Sequence, residues 1–387
     1  MLASCLLASG CATMPTPRNL PQAQYQVEQQ LPGQAPATCA VAATPAGLAG
    51  LTRIDAAALT AAPDLLGPGD RLQLTVSGDR DVLTGTYVIG ANGRLTLHGI
   101  ADIAAAGRPR LLVERELRAL LVSQGLVRDI AGNVHLTQAE AAGVQVSVSG
   151  AVFEPGLVRA GERAAEARSA TVGNPASGDF NVGRSLATAL RAAGGIRPDA
   201  DAGAVYLVRG GSYAMVDVTP AFTGGVPADP QLAAGDRIIV PSANCFQQAF
   251  VRPSSVTAPG IRIYLSNLSR PAASNATAGI GKDSTSFPYG TRMLAALVSA
   301  NCVGGSAMNA GRKAVLMSRN PVNGHSVVVS RHIEELVRGA DRDALNPYLM
   351  PGDAIACYDG SAMTLVDAVG VVGTLLGPAA LINGLGK

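Results

Sequence analysis

One short signal recurs three times in this chain, and each time it launches a strand. It reads Leu66-Gly-Pro-Gly-Asp-Arg-Leu-Gln-Leu-Thr-Val-Ser-Gly78, then Leu232-Ala-Ala-Gly-Asp-Arg-Ile-Ile-Val240, then Leu349-Met-Pro-Gly-Asp-Ala-Ile-Ala-Cys357. Pro68, Gly69 and Asp70 are turn residues for three separate reasons. Proline presets φ, glycine takes the positive-φ position, and aspartate bonds its own backbone. Gly235 and Asp236 repeat the device, as do Pro351, Gly352 and Asp353. Leu72, Leu74 and Val76 then alternate with polar residues, as in a half-buried strand. A turn-plus-strand cassette used three times implies a modular chain, and its aspartates read as structural turn groups, not as acid–base groups.

The rest of the sequence fits between these marks. At 387 residues the chain is long enough for two to four domains. Its 45 glycines and 24 prolines favour short strands and turns. Residues 12–61, rich in Pro, Ala, Gln and Thr, read as an extended tether. A first module over 62–143 opens on the first cassette. Ala91-Asn-Gly93 then joins two short β runs as a hairpin signal. In Arg110 to Gln124, Leu112, Val113, Leu117, Leu120 and Leu121 recur at helical spacing.

A second module over 144–243 runs strand, Pro-Gly turn, short helix capped by Ser185, two strands about Gly210-Gly211, and the second cassette. A third, over 244–358, repeats that order with a polar insertion at 266–286 and closes on the third cassette. A period near 100 residues is too long for a solenoid unit and indicates duplicated domains. The predicted class is therefore α+β, multidomain and β-rich.

The two ends differ from the middle. Leu7-Ala-Ser-Gly-Cys11 resembles the bacterial lipobox, which implies cleavage before Cys11 and a lipid on it. Leu2-Ala-Ser-Cys5 is a weaker candidate, and an ordinary secretory signal is the alternative. A signal peptide carries a basic n-region; Met1 to Gly10 has no Lys or Arg, which leaves the true start of the chain open. From Ser361 the chain turns apolar, with no charge between Asp367 and Asn383. As a helix, Gly370, Gly377 and Gly384 share one face with Gly373 beside them, a small-residue stripe of the kind that lets membrane helices approach closely. Asp367 and Thr374 form a weakly polar stripe. The predicted element over 359–387 is a membrane helix; the alternative is an amphipathic helix folded onto the last module.

With Cys5 and Cys11 set aside, Cys39, Cys245, Cys302 and Cys357 remain. An even count in an exported protein is compatible with disulfides, in three connectivities. The expectation is a bridge within the C-terminal module, Cys302–Cys357 or Cys245–Cys302, against buried free thiols. No Cys-x-x-Cys occurs, so zinc is not expected.

Reactive chemistry is sparse in this sequence. His98, His135, His325 and His332 have no metal-ligand spacing. No Gly-x-Ser-x-Gly is present. Gly279-Ile-Gly-Lys-Asp-Ser-Thr285 falls short of a phosphate loop: Ala276 replaces its first glycine, and Asp283 stands where Ser or Thr binds magnesium. A net charge of +2 without a basic, aromatic-interleaved stripe gives no reason to expect nucleic acid. No catalytic residue, metal or cofactor is expected, and the chain does not read as an enzyme.

Order now adds to residues. Leu66-Gly-Pro-Gly-Asp-Arg-Leu72, Thr84-Gly-Thr-Tyr-Val88, Asn92-Gly-Arg-Leu95 and Ile100 resemble the polysaccharide export domain of Wza-like outer-membrane lipoproteins. Val148-Ser-Gly-Ala-Val-Phe-Glu-Pro-Gly156, Leu190-Arg-Ala-Ala-Gly-Gly195 and Gly235-Asp236 resemble an SLBB domain, a β-grasp fold; the third module resembles a degenerate copy. The resemblance implies a homo-oligomer, by analogy an octamer, whose C-terminal helices form a barrel through the outer membrane. The stripe of Asp367 and Thr374 is then the candidate lumen-facing side. Capsular or extracellular polysaccharide would pass from periplasm to surface, with an inner-membrane polysaccharide co-polymerase as partner. A periplasmic glycan-binding or adaptor lipoprotein without a pore is the alternative.

Overall fold

The computed structural model describes residues 39, 44–60, 65–79, 82–97, 99–163, 179–267, 286–300, 302–303, 311–320, 324, 326–339 and 342–358. The fold is strand-rich and mixed α/β. The chain divides into two compact units, residues 37–259 and residues 260–387 together with 1–36.

In the first of these, β1 (Thr52–Ile54) and α1 (Ala56–Thr60) precede the first cassette. The cassette strand β2 (Arg71–Val76) lies between β3 (Gly85–Val88) and β6 (Val134–Glu140), antiparallel to both. A second ribbon pairs β4 (Arg94–Leu97) with β5 (Ala101–Ala104). The helix α2 (Arg110–Ser123) turns Val113, Leu117 and Leu121 inward, at helical spacing. Those side chains join Leu72, Leu74, Leu95, Leu97, Ile103 and Leu136 in one core.

The second module is built on a six-stranded sheet of order β1-β10-β9-β11-β7-β8. Its strands are β7 (Val144–Gly150), β8 (Gly156–Ala160), β9 (Val205–Arg209), β10 (Ser212–Val216) and β11 (Arg237–Val240), with β1 added from upstream. The helix α3 (Leu186–Ala192) covers it and is capped by Ser185, whose Oγ accepts from Thr188 N–H at 3.3 Å. The short helix α4 (Pro220–Thr223) places Phe222 against Phe250, with ring centroids 4.4 Å apart. Gly150 is obligatory where β7 leaves the sheet. Its φ is +91°, and a Cβ there would meet Val240 O at 2.0 Å.

Two boundaries read from sequence are corrected here. The last part of the presumed tether is not extended linker: Thr52, Arg53 and Ile54 pair in parallel with Ser212, Tyr213 and Ala214. Leu48 is buried with Tyr206 and Val208, because the edge of β10 and that apolar face both need cover. Residues 244–259 belong with the second module and not with the third. Phe250 and Val256 lie in the second module's core, and Thr257 bridges to Gly195.

The other unit holds β12 (Gly260–Arg262) paired with β14 (Ser286–Pro288), and a four-stranded sheet of order β13-β17-β15-β16. Its strands are β13 (Tyr264–Asn267), β15 (Lys313–Arg319), β16 (Ser326–His332) and β17 (Ala354–Tyr358). The helix α5 (Met293–Ser299) buries Met293, Ala296 and Leu297, and α6 (Ile333–Arg338) and α7 (Arg342–Leu345) follow β16.

The two sheets share one topology. Each cassette strand pairs in parallel with the module's opening strand and antiparallel with the first strand of a hairpin. Small bonds repeat as well. Leu186 N–H donates to Pro230 O and Leu232 N–H to Arg184 O; Met293 N–H donates to Pro347 O and Leu349 N–H to Thr291 O. The two sheets thus repeat one pattern of strand pairing.

Two disulfides form, Cys39–Cys245 and Cys302–Cys357. The expected alternative Cys245–Cys302 is a correction: the Cα of Cys245 lies 5.1 Å from that of Cys39, within bridging reach. Among the described residues no helix is long and apolar enough to cross a membrane. Cys11, Asp367, Gly370, Gly373, Thr374, Gly377 and Gly384 lie outside the described residues.

Candidate functional site

The three cassette aspartates are all buried. Each accepts from the backbone three residues earlier: Asp70 from Gly67, Asp236 from Ala233 and Asp353 from Met350, at 2.8, 2.9 and 2.8 Å. That common bond is the turn chemistry read from the sequence. What distinguishes the three is the second partner, which the sequence did not indicate.

Asp70 sits where the first module meets the second. Its carboxylate accepts from Gln138 Nε2 at 2.9 Å and from Ala142 N–H at 2.8 Å. It also accepts from Arg184 Nη2, and the Nε of Arg184 donates to Ala142 O. Ala142 lies in the short segment that joins β6 to β7, and Arg184 lies just before α3. Burial pushes the Asp70 carboxyl above its ordinary range, against the Arg184 charge and the two backbone donors that pull it down. A buried charge is tolerated only when paired and hydrogen-bonded on every side. The joint therefore ties the turn at Asp70 to the β6–β7 segment and to the start of α3.

A second layer encloses that link. Asp179 accepts from Ala141 N–H at 2.7 Å and from both terminal nitrogens of Arg163. Its pKa lies below the carboxylate norm, since these donors outweigh the opposing effect of burial. Buried Asn181 donates to Ala141 O and Gly161 O at 3.0 and 2.7 Å. The sequence reading missed Arg184, Asp179 and Asn181. No local pattern links them to a turn more than a hundred residues upstream.

Asp236 is clamped by Arg209, with Nε to Oδ1 at 3.0 Å and Nη2 to Oδ2 at 2.7 Å. Asp353 has instead the Ser318 hydroxyl, donating at 2.5 Å. Burial raises the Asp353 carboxyl to about 7, opposed only by hydrogen bonds from Met350 and Ser318.

Beside the Asp70 joint, between the first two modules, lies an open cleft of about 320 Å³. The cassette residues Pro68 and Gly69 line it, together with Arg71, Glu140, Arg159 and Glu162. Arg71 and Glu140 form an ion pair at 3.5 Å, and Arg159 and Glu162 one at 3.2 Å. Among the described residues no cluster of His, Cys, Asp and Glu is arranged to hold a metal. The site offers hydrogen bonding and steric definition, without a nucleophile and base in contact.

No curated protein matches the chain. Residues 59–137 match the family model described as polysaccharide biosynthesis/export protein. That span runs from the end of α1 to Thr137 in β6, and so holds the cassette turn, both ribbons and α2. Over residues 59–137 the first module of this chain is therefore similar to the polysaccharide biosynthesis/export protein family.

Proposed function

We propose that this protein is the outer-membrane component of a polysaccharide exporter. It is anchored by lipid at Cys11, assembles as a ring, and passes polymer from periplasm to cell surface without making or breaking a bond. The observation that carries this reading is the export-family match over residues 59–137. Two disulfides suit an oxidising compartment such as the periplasm. The two later modules are read as SLBB-type domains, on the strength of their shared strand register.

In this reading the tail beyond residue 360 spans the membrane. Gly370, Gly373, Gly377 and Gly384 form its close-packing face, and Asp367 and Thr374 its wet face. The inner-membrane partner is a polysaccharide co-polymerase. The test is removal of residues 361–387 in the producing cell. Loss of surface polymer with periplasmic accumulation is the expected result; unchanged surface polymer overturns the channel. Electron microscopy of the detergent-extracted protein should show a closed ring, and a monodisperse monomer would overturn the ring.

A further inference from the structure

The cleft beside the Asp70 joint has the chemistry of a ligand site. One wall is shaped by a bulge: the pairing of β2 and β6 slips between Arg71 and Leu72, so that Arg71 faces Glu140 while Leu72 faces Gln138. Ala139 is the extra residue. Bulges re-aim the side chains beside them, and here the neighbours diverge. Gln138 goes down to Asp70, and Glu140 stays on the cleft wall with Arg71. The opposite wall depends on Gly143, where a Cβ would lie 2.9 Å from Glu162 N. Only glycine lets that segment, with Glu162 and Arg159, come so close.

The four charged groups cancel in two pairs. Three of them remain open to solvent: the side chains of Arg71, Arg159 and Glu162 are 48%, 65% and 60% exposed. Val88 adds an apolar patch, 53% exposed. An anion would meet Glu140 and Glu162, a cation would meet the two arginines, and an apolar ligand would strip water from four charges without replacing it. A hydroxyl both donates and accepts, so a ring bearing several hydroxyls satisfies guanidinium and carboxylate together while its C–H face covers Val88. The volume lies at the small end of ligand sites and holds about one or two sugar rings.

We propose that this cleft is a saccharide subsite, taking neutral sugar residues of the exported polymer. The proposal rests on the export reading and adds where, and which part of, the polymer is held. The test uses the full chain purified in detergent. The probes are oligosaccharides of two to six residues, released by partial acid hydrolysis from the producing cell's own surface polymer and split into neutral and acidic fractions. Calorimetric titration should show saturable binding of the neutral fraction. The Arg71→Ala/Arg159→Ala double variant should weaken it at least tenfold, and Glu162→Gln should weaken it by a smaller factor. Unchanged far-ultraviolet dichroism will certify that these surface variants fold. No binding of the neutral fraction, binding of the acidic fraction alone, or undiminished binding by the double variant overturns the subsite. Surface polymer measured in a strain lacking the chain separates the two readings. Polymer still exported there sinks the export function whatever the cleft binds; polymer lost there, with no neutral fragment bound, sinks the subsite alone.

Discussion

Ser318 occupies in the last module the register position that Arg209 occupies in the second. Arg237 faces Val208 and Ala354 faces Met317, so the residue after each partner, Arg209 or Ser318, reaches the turn aspartate one step before its own strand. Asp236 thus has a guanidinium fork, and Asp353 a single hydroxyl. The same buried turn faces a cation in one module and a neutral hydroxyl in the other.

This difference fixes a pH dependence. The folded pKa of Asp353, about 7, exceeds the ordinary carboxyl value of 3.8. The folded state therefore binds more protons between those values, and stability falls as pH rises through that window. The loss totals up to about 4 kcal/mol by linkage arithmetic. Urea denaturation of residues 260–358 within the whole chain should give a lower midpoint at pH 8 than at pH 5. Asp353→Asn should flatten the slope; an equal slope in that variant would refute the assignment.

The Asp70 joint should fail differently. Arg184→Ala leaves a buried carboxylate without its cation, a change that costs about 3–5 kcal/mol in buried pairs. Asp70→Asn keeps the shape and strands the guanidinium instead. Both should lower the unfolding midpoint of residues 37–259 at neutral pH, whereas Arg159→Ala, on an exposed pair, should shift it by less than about 1 kcal/mol. Equal effects from buried and exposed pairs would contradict the joint.

Cys39–Cys245 spans 206 residues of sequence. Loop-closure entropy gives such a bridge about 5 kcal/mol at most. Cys39→Ser/Cys245→Ser should destabilise the unit, and by hydrogen exchange the amides of β1 should lose protection before those of β9. Simultaneous loss in both strands would mean that β1 is held by pairing alone.

Gly150→Ala is the sharpest packing test. The new Cβ would stand 2.0 Å from a carbonyl oxygen at φ +91°. Displacement of β11 is required, and a loss of about 3 kcal/mol or more is expected. Gly211→Ala, with open space at the Cβ, is the control and should change little.

The turns, the strands and the α2 and α3 helices were legible because their signals are local. Pro68-Gly69-Asp70 needs only neighbours, and Val113, Leu117 and Leu121 advertise their face by spacing. β1 was not legible. Its three residues carry no alternation, and it is a strand only because the edge of β10 accepts it. Arg184 was invisible for the same reason: its meaning lies in a carboxylate 114 positions away. Cys39 was passed over in pairing because proximity to Cys245 is a property of the sheet and not of the spacing.

The pairing of β1 with β10 bears on mechanics. The first module leaves the six-stranded sheet from β1 and returns to it at β7, with β10, β9 and β11 between. Four strand spacings put these two attachment points about 19 Å apart. A domain on one linker can swivel; a domain on two separated posts resists torque in the plane that contains them. A load on the first module would therefore be borne by the second as by a rigid bracket, with Cys39–Cys245 fastening the chain ahead of β1 to the segment that follows β11.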